Sequence, residues 1–548
     1  MTKHSYAAKA FSLLLALVLT LSLAVNSAAA VSFQDMNPKD DALLGTKFNV
    51  DATITLVTGK DGKDVSLSIP VSGMSKEALA AAITAGTVTL ALERDDSRPY
   101  VNEELFPYAY AGGDLNSWMI EGKDEHQFTD IKLTANEKNG KAVLDVSFHV
   151  NNYFYSTNRR TGETTPDYSV PHVNGSYYID LCGYFDLTAK NSGKAIGSAP
   201  VKVAPYENFN TMWEIYKELD TIAANGTKNG LYVERFSMGQ STAGRDMPYL
   251  IVADSKASVT KWLALAERAE TEPDAVLADI KSGKLDEIRV PVMYSNIHPD
   301  EVAATDGVLD FAKMITSEKT IDYKTLTGFT AAGEKELKEE MGPVGAEGSV
   351  AVPDLVKDTA SYLGYLSADN NGKSGKVDLE KYYTVKSNTV NVKDELLSDV
   401  FFVLVPEENV DGRTYLTRHS TNGYDLNRDN SFQTTSETAN MQQLIGTFNP
   451  ISLAEFHGRV QSFQCEPCDP PHEPNFEYDL LANHLITGGE ALGIAAVANN
   501  DGYNSYVIPQ RDYLTYTGSG TETYWEDPWD DMSTSYTPQF AMLQGTVA

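Results

Sequence analysis

The chain has 548 residues and a formal net charge of −32, from 76 acidic and 44 basic side chains. This acidity argues against a nucleic-acid binder, which needs a basic face to neutralise phosphates, and against docking on an anionic membrane. Hydrophobic residues make up 42% of the chain and aromatic residues 10%, so a packed core is possible and global disorder is excluded. Three cysteines are too few for a disulfide framework.

Residues 1–30 have the composition of a secretory signal peptide. Lys3 and Lys9 give a positive start, residues 11–25 are mostly apolar, and residues 28–30 offer a small-residue cleavage site. A transmembrane anchor is the alternative, but a span needs about 20 consecutive apolar residues. We therefore expect cleavage after Ala30 and a secreted, extracellular protein, free or associated with the cell surface, without a membrane span in its mature form.

Residues 31–204 are predicted to form an all-β accessory domain. Alternating runs rich in β-branched residues are separated by turn residues and occur at residues 48–57, 65–70, 87–92 and 142–149. Residues 75–84 predict one short helix within this region. The region shows no catalytic pattern, and whether part of it is a removable pro-segment stays open.

From residue 205 onwards, helical patterns alternate with short apolar strands. Residues 207–224 have apolar side chains at helical spacing. Apolar strands are predicted at residues 249–253, 290–297, 400–405 and 451–456. Continuous apolar strands between helices indicate an α/β layered sheet. Residues 317–393 break this pattern with polar sequence, and we predict that they are an insertion.

Part of that insertion, residues 369–380, has some features of a calcium-binding loop. Such a loop carries oxygen side chains at positions 1, 3 and 5, Gly at position 6 and Glu at position 12. A loop starting at Asn370 has Gly375 at position 6, but Gly372 at position 3 and Lys381 at position 12. Two ligands are therefore lost, and a glycine-rich turn is the better interpretation.

Two histidines each follow an apolar strand. His298 opens the sequence HPDE, in which Glu301 can present a carboxylate to the same ion, and His457 follows residues 451–456. Sites in open α/β sheets form at the carboxyl ends of strands, so the three side chains can meet there. Two ligands close in sequence plus a distant histidine fit a catalytic zinc site that keeps one position for water. Glu455 either orients the His457 ring or is a plain surface charge.

The segment between these ligands contains Arg418, Asn427 and Arg428. Arginine forks bind carboxylates through two hydrogen bonds, so this cluster indicates an anionic feature of the substrate. The alternative is that Arg428 pairs locally with Asp425 and only supports the loop.

Four motifs in one order resemble those of the zinc carboxypeptidase family, the carboxypeptidase A-like metallopeptidases. They are HPDE at 298–301, NVDGR at 409–413, R-x4-GYDLNRD at 418–429 and LAEFHG at 453–458. Residues 237–252 also resemble that family's opening strands. The resemblance covers residues 205–548 apart from the insertion, and it implies a mixed-sheet, three-layer α/β catalytic domain there.

The resemblance also implies roles for individual residues. The ligands of one zinc ion would be His298, Glu301 and His457, and Arg418 would polarise the scissile carbonyl and stabilise the oxyanion. These roles make physical sense, because zinc lowers the pKa of its bound water towards ~7 and a fixed guanidinium stabilises developing negative charge.

Asn427 and Arg428 match the family pair that holds the substrate's terminal carboxylate. The family's general base, a glutamate on a late strand, has no match, and we expect it beyond Ala548, which implies that the C-terminal end of the domain is missing. The family's substrate-contacting tyrosine stays open among three candidates, Tyr513, Tyr516 and Tyr524.

Two further signals are interpreted as structural. Cys465 and Cys468 predict a local disulfide rather than a structural zinc site, because a four-ligand set is lacking, and Cys182 would then be unpaired and buried. Residues 239–244 superficially fit a serine nucleophile elbow, but Ala243 stands where that motif needs glycine, so a turn between strands is predicted.

The resemblance thus implies a secreted zinc metallocarboxypeptidase that removes C-terminal residues from peptides or proteins by metal-activated water. Two alternatives remain on the same fold: a peptidase acting on cell-wall peptides, and a non-catalytic secreted binding protein. Neither the preferred terminal residue nor the oligomeric state is predicted.

Overall fold

The structure is a computed structural model of the chain. It describes residues 49–95, 112–158, 160–166, 181–332, 335, 380, 383–457 and 506–507, apart from 121, 208 and 416. The predicted signal peptide, the cysteine pair 465/468, the three candidate tyrosines and nearly all of the calcium-like segment lie outside these residues. Within the described part of the chain, no helix is both long and apolar enough to cross a membrane.

The N-terminal part consists mainly of strands. In chain order they are β1 (Ala52–Thr55), β2 (Lys63–Pro70), β3 (Val88–Arg94), β4 (Gly112–Asp114), β5 (Phe128–Lys138), β6 (Lys141–Val150), β7 (Tyr155–Thr157), β8 (Thr164–Pro166), β9 (Gly183–Asn191) and β10 (Lys194–Ala204). One sheet has the order β1-β10-β9-β3-β4 and a second has the order β2-β6-β5. Buried side chains from both sheets form a single apolar cluster, called the β-rich core below.

One helix interrupts these strands. Helix α1 (Lys76–Thr84) begins where the sequence predicts it, because the Ser75 hydroxyl accepts a hydrogen bond from the backbone N–H of Ala78 at 3.2 Å. Its Leu79 is fully buried in the β-rich core. The region is therefore β-rich rather than all-β. Cys182 is also buried in this core, as expected.

The second part alternates helices and strands. Its elements are α2 (Met212–Lys228), β11 (Tyr232–Gln240), β12 (Asp246–Ala253), α3 (Lys256–Thr271), α4 (Pro273–Lys281), β13 (Val290–Asn296), α5 (Val302–Ser317), β14 (Thr320–Phe329), β15 (Tyr383–Asn391), β16 (Val400–Val405), α6 (Val410–Tyr415), α7 (Ser436–Phe448), β17 (Ser452–Phe456) and β18 (Tyr506–Val507).

Five of these strands form a mixed sheet of order β11-β12-β16-β13-β17. The first three pair antiparallel, whereas β16, β13 and β17 run parallel. Successive side chains of β16 point to opposite faces: Phe402 and Leu404 pack with α2 and α5, and Phe401 and Val403 pack with α3 and α7. This is the mixed α/β layered arrangement that the sequence predicts.

The predicted insertion, residues 317–393, has strands at both ends. β14 and β15 pair antiparallel from Thr320↔Asn391 to Phe329↔Tyr383, and β18 pairs parallel with β14. The polar sequence that indicated a loop therefore begins and ends in a separate small sheet. The turn predicted between β11 and β12 is confirmed, since the Ser241 N–H donates to the Arg245 carbonyl at 2.8 Å.

The two parts are joined by buried polar contacts. Lys202 on β10 reaches both Glu214 carboxylate oxygens on α2 at 3.0 Å. The Tyr184 hydroxyl lies 2.9 Å from the Thr211 hydroxyl, which caps α2. Phe209, between β10 and α2, belongs to the β-rich core. The division at residue 204 stays a prediction, and this junction is packed rather than open.

Candidate metal centre

Parallel pairing of β13 with β17 brings the two candidate histidines to one edge of the sheet. Asn296 on β13 is in register with Phe456 on β17, and its side-chain amide donates to the Phe456 carbonyl at 2.9 Å. His298 follows β13 and His457 follows β17. The carboxyl ends of two neighbouring strands therefore present both imidazoles side by side, as the sequence predicts.

Glu301 completes this group from the start of α5, where it is the N-cap residue. His298 Nδ1 lies 3.1 Å from His457 Nδ1 and 3.3 Å from Glu301 Oε1. His457 Nδ1 lies 3.2 Å from Glu301 Oε2. Ligand atoms 2.0–2.1 Å from a tetrahedral zinc would be ~3.3–3.4 Å apart, so these three edges fit one ion of that size.

The outer nitrogen of each ring faces a carboxylate. His298 Nε2 lies 3.2 Å from Asp425 Oδ1, and His457 Nε2 lies 2.6 Å from Glu455 Oε2. A neutral imidazole that donates its Nε2 hydrogen keeps a bare lone pair on Nδ1, which suits a metal. Glu455 is thus a buried partner of the His457 ring rather than a surface charge, and its orienting role stays a prediction. Asp425 had been considered only as a partner for Arg428, and its contact with His298 was missed.

The electrostatics of the group also favour a cation. Burial alone would raise the pKa of Glu301, but hydrogen bonds from His298 and His457 outweigh it and hold that pKa well below its usual range. Burial alone would lower the pKa of His457, but the carboxylates of Glu301 and Glu455 raise it to about 10. Without a metal, the His457 imidazole therefore keeps its proton beside the two carboxylates, and a metal cation would replace that proton.

Arg418 lies against the same group. Its Nη1 donates to Glu301 Oε1 at 3.1 Å and its Nε donates to Asp425 Oδ2 at 2.8 Å. The Arg418 carbonyl accepts from the Asn409 side-chain amide at 3.1 Å, which fixes the loop that carries it. The structure thus brings Arg418 together with the three candidate ligands.

Asn427 is connected to the candidate ligand His298 through Asp425, and Arg428 is connected to Asn427. The backbone N–H of Asn427 donates to Asp425 Oδ1 at 3.0 Å, and its side chain is buried. Arg428 Nη1 donates to the Asn427 carbonyl at 2.8 Å, and the arginine is exposed. Asp425 therefore connects this pair with His298 and Arg418, whereas the sequence had offered it as a local partner of Arg428.

Buried carboxyl groups beside the site were not foreseen. Burial raises the pKa of Asp300 to about 6, although Arg418 and His298 oppose the shift. Burial raises the pKa of Glu407 to about 8, with Arg413 and a Thr305 hydrogen bond opposing it. For Glu407, the only signal in the sequence was that two glutamates, at 407 and 408, follow the apolar strand at residues 400–405. Two glutamates at that position equally fit a surface loop.

Comparison with known proteins gives a consistent but weak likeness. No protein-family model and no curated protein matches the chain. Solved metallo-carboxypeptidases align with it, including one from Burkholderia cenocepacia at 11% identity and a TM-score of 0.32, covering 90% of this chain and 77% of that one.

Two further alignments are of the same kind. A Pseudomonas aeruginosa metallo-carboxypeptidase aligns at 11% identity and a TM-score of 0.31, covering 91% of this chain and 84% of that one. Carboxypeptidase A from Helicoverpa armigera aligns at 10% identity and a TM-score of 0.28, covering 82% and 87%. At such TM-scores we infer nothing about activity from the likeness.

Proposed function

We propose that the protein is a zinc-dependent carboxypeptidase, secreted by the cell, that removes C-terminal residues from peptides or proteins. The observation that carries the proposal is the convergence of two Nδ1 atoms and one carboxylate at the spacing of a tetrahedral zinc site. His298, Glu301 and His457 would hold one zinc ion.

A zinc ion in this site supplies a water of lowered pKa and polarises a carbonyl oxygen. Asp425 and Glu455 would keep both imidazoles in the orientation that binds it. Arg418 carries a guanidinium within hydrogen-bond distance of Glu301, so a carbonyl oxygen beside the metal would also lie near this fixed positive charge. That charge would stabilise the oxyanion that forms when the carbonyl is attacked.

Substrate selection would come from Asn427 and Arg428. Arg428 is exposed and lies ten residues after Arg418, so a carboxylate arriving from solvent can reach it. A guanidinium fork binds a carboxylate with two parallel hydrogen bonds, which selects a free peptide C-terminus over a neutral one.

The test is metal analysis together with cleavage of matched peptides by the full-length gene product. We expect about one zinc per chain, and cleavage of peptides with a free C-terminus but not of the same peptides amidated. The panel should include peptides of cell-wall type, because their preferential cleavage would support the second enzymatic alternative. Bound zinc without cleavage of any peptide would support the non-catalytic binding protein instead.

Arg428→Ala tests directly whether this arginine selects a free peptide C-terminus. Loss of hydrogen bonds to a charged group costs on the order of 1.5–3 kcal/mol, so kcat/KM for free-ended peptides should fall about tenfold or more. Residual cleavage of amidated peptides should change little. Arg268→Ala on α3, which removes an arginine paired with Glu272 at 3.1 Å, is the control. Equal losses on both kinds of peptide would rule out exopeptidase selection by Arg428.

A further inference from the structure

Arg413 is an arginine with no exposed surface, although nothing in the proposed chemistry uses it. It lies on α6, in the motif NVDGR. Its Nε donates to the Asn210 carbonyl at 2.9 Å, and its Nη1 donates to the Pro299 carbonyl at 3.3 Å and to the Thr305 hydroxyl at 3.2 Å. One buried side chain therefore contacts the junction segment, the HPDE turn and α5.

The contact with Pro299 is the one nearest the metal. Pro299 lies between the candidate ligands His298 and Glu301, so a hydrogen bond to its carbonyl restrains the backbone of the turn that carries both. The next residue after Glu301, Val302, packs its side chain against the β-rich core. The turn at residues 298–301, called the ligand turn below, is thus held by the Arg413 guanidinium and, through Val302, by the β-rich core.

The contacts of Arg413 and Val302 both connect the ligand turn with the N-terminal part of the chain. The Arg413 guanidinium lies over the Phe209 ring at 4.0 Å, and Phe209 is 1% exposed within the β-rich core. A desolvated cation over an aromatic face is a favourable contact that fixes the position of the guanidinium. Asn210, next to it, donates from its side chain to Asp306 on α5 at 2.9 Å.

We propose that Arg413 is a positioning residue through which the β-rich core holds the metal-ligand turn in its binding geometry. The inference rests on the proposed zinc site and extends it: the β-rich region is a permanent part of the metal site's support. Removal of the β-rich region as a pro-segment would therefore take away contacts that hold the turn at residues 298–301. Arg413 acts on zinc only through Pro299 and Thr305, and touches no substrate.

The test is the rate at which the full chain releases zinc to an excess of chelator, measured where circular dichroism shows each variant to be folded. Arg413→Met should release zinc about tenfold faster or more, in line with the effect of losing groups that orient metal ligands. Arg413→Lys, which keeps one charged donor, should be intermediate. The visible spectrum of the cobalt-substituted protein should change in Arg413→Met, because the ligand geometry relaxes.

Two controls separate positioning from general loss of stability. Arg235→Met removes another buried arginine, which donates to the Tyr216 carbonyl at 2.9 Å, away from the ligand turn. Phe209→Leu removes the ring under Arg413, and Phe185→Leu removes a ring in the same core that lies 4.8 Å under Arg94. We expect faster zinc release in Phe209→Leu and near wild-type release in Arg235→Met and Phe185→Leu.

The possible results separate this inference from the proposed function. Equal release rates in Arg413→Met and Arg235→Met, or in Phe209→Leu and Phe185→Leu, would overturn the positioning role while leaving the zinc site intact. If Arg413→Met does not fold, Arg413→Lys and Phe209→Leu decide by the same comparison. A wild-type chain that binds no zinc would overturn the proposed function, and this inference with it.

Discussion

At the residue scale, the candidate metal centre contains two imidazoles whose Nδ1 atoms are 3.1 Å apart. His298→Ala and His457→Ala each remove one of three ligands, and two remaining ligands rarely hold zinc against water. We expect elemental analysis to show zinc reduced to background in both variants. His149→Ala, which removes a histidine bonded to Asp64 at 2.8 Å in the β-rich part, is the control and should keep its zinc. Full zinc content in both ligand variants would disprove the assignment.

Glu407 is a second residue whose chemistry can be read from its neighbours. The Thr305 hydroxyl lies 3.0 Å from Glu407 Oε2 and 3.1 Å from Asn296 Oδ1, and its single hydrogen can serve only one of them. A protonated Glu407 resolves this, because it donates to Thr305 while Thr305 donates to Asn296. Burial raising the pKa of Glu407 to about 8 agrees with that arrangement.

The raised pKa of Glu407 predicts a pH dependence of stability. The folded chain holds a proton that the unfolded chain releases near its ordinary pKa, so this group's stabilisation is present at low pH and is lost as pH rises towards 8. The Gln side chain of Glu407→Gln cannot titrate. As pH rises, the free energy of unfolding of the wild type should therefore fall relative to that of the variant, by up to ~1.4 kcal/mol per pH unit. Denaturant titrations between pH 5 and pH 8, with chelator present, measure this. A constant difference between the two proteins would contradict it.

The residues of the site were partly predictable. The three candidate ligands could be found because a histidine after an apolar strand, with a carboxylate three positions on in one case, is a local pattern. Asp425 and Arg413 could not be placed, because their contacts with His298 and Pro299 depend on how a long loop folds back over the sheet. Sequence spacing contains no information about that path.

At the element scale, apolar strands were predicted well and polar strands poorly. β16 is apolar and buried almost throughout, and β13 and β17 are mostly apolar and are buried or partly buried along their length. β5, β14 and β15 contain many polar residues, because β5 has one largely exposed face and the other two lie outside the main sheet. Their backbone pairing, rather than side-chain burial, makes them strands, and pairing is invisible to hydrophobic periodicity.

Close packing of α2 on β11 gives a prediction at this scale. A Cβ on Gly226 of α2 would lie 2.3 Å from Val233 Cγ2, far inside van der Waals contact, whereas a Cβ on Gly446 of α7 would meet nothing within 4 Å. Gly226→Ala should therefore destabilise the protein by about 1–3 kcal/mol, despite its better helix propensity. Gly446→Ala should be neutral or stabilising by up to ~1 kcal/mol. Denaturant unfolding of both variants tests the contrast, and equal effects would show that α2 can shift.

At the scale of the whole molecule, the β-rich part and the α/β part share their boundary. Trp213 packs against the apolar clusters of both, and Phe209 and Val302, which both follow residue 204, pack with the β-rich core. Sequence composition predicts a boundary near residue 205 from a change of pattern, and that boundary stays a prediction. It could not show that the two parts are packed together, because composition reports local structure and not contact.

The shared junction predicts one cooperative unfolding transition. Leu144→Ala removes a fully buried side chain from the β-rich core and should cost about 2–5 kcal/mol. If the parts unfold together, calorimetry should show a single lowered transition, and zinc release on heating should shift with it. A lowered β-rich transition separate from an unchanged zinc-release temperature would show that the parts unfold independently.

The register of β13 with β17 has a consequence for the order of events during folding. The two strands pair from Val292↔Ser452 to Asn296↔Phe456, so their contact closes a chain loop of about 160 residues, one of the slow steps in forming a sheet. The metal site exists only after that closure, which places it late on the folding path. Zinc should therefore leave the refolding rate nearly unchanged and lower the unfolding rate. It would thus increase the kinetic stability of the folded protein.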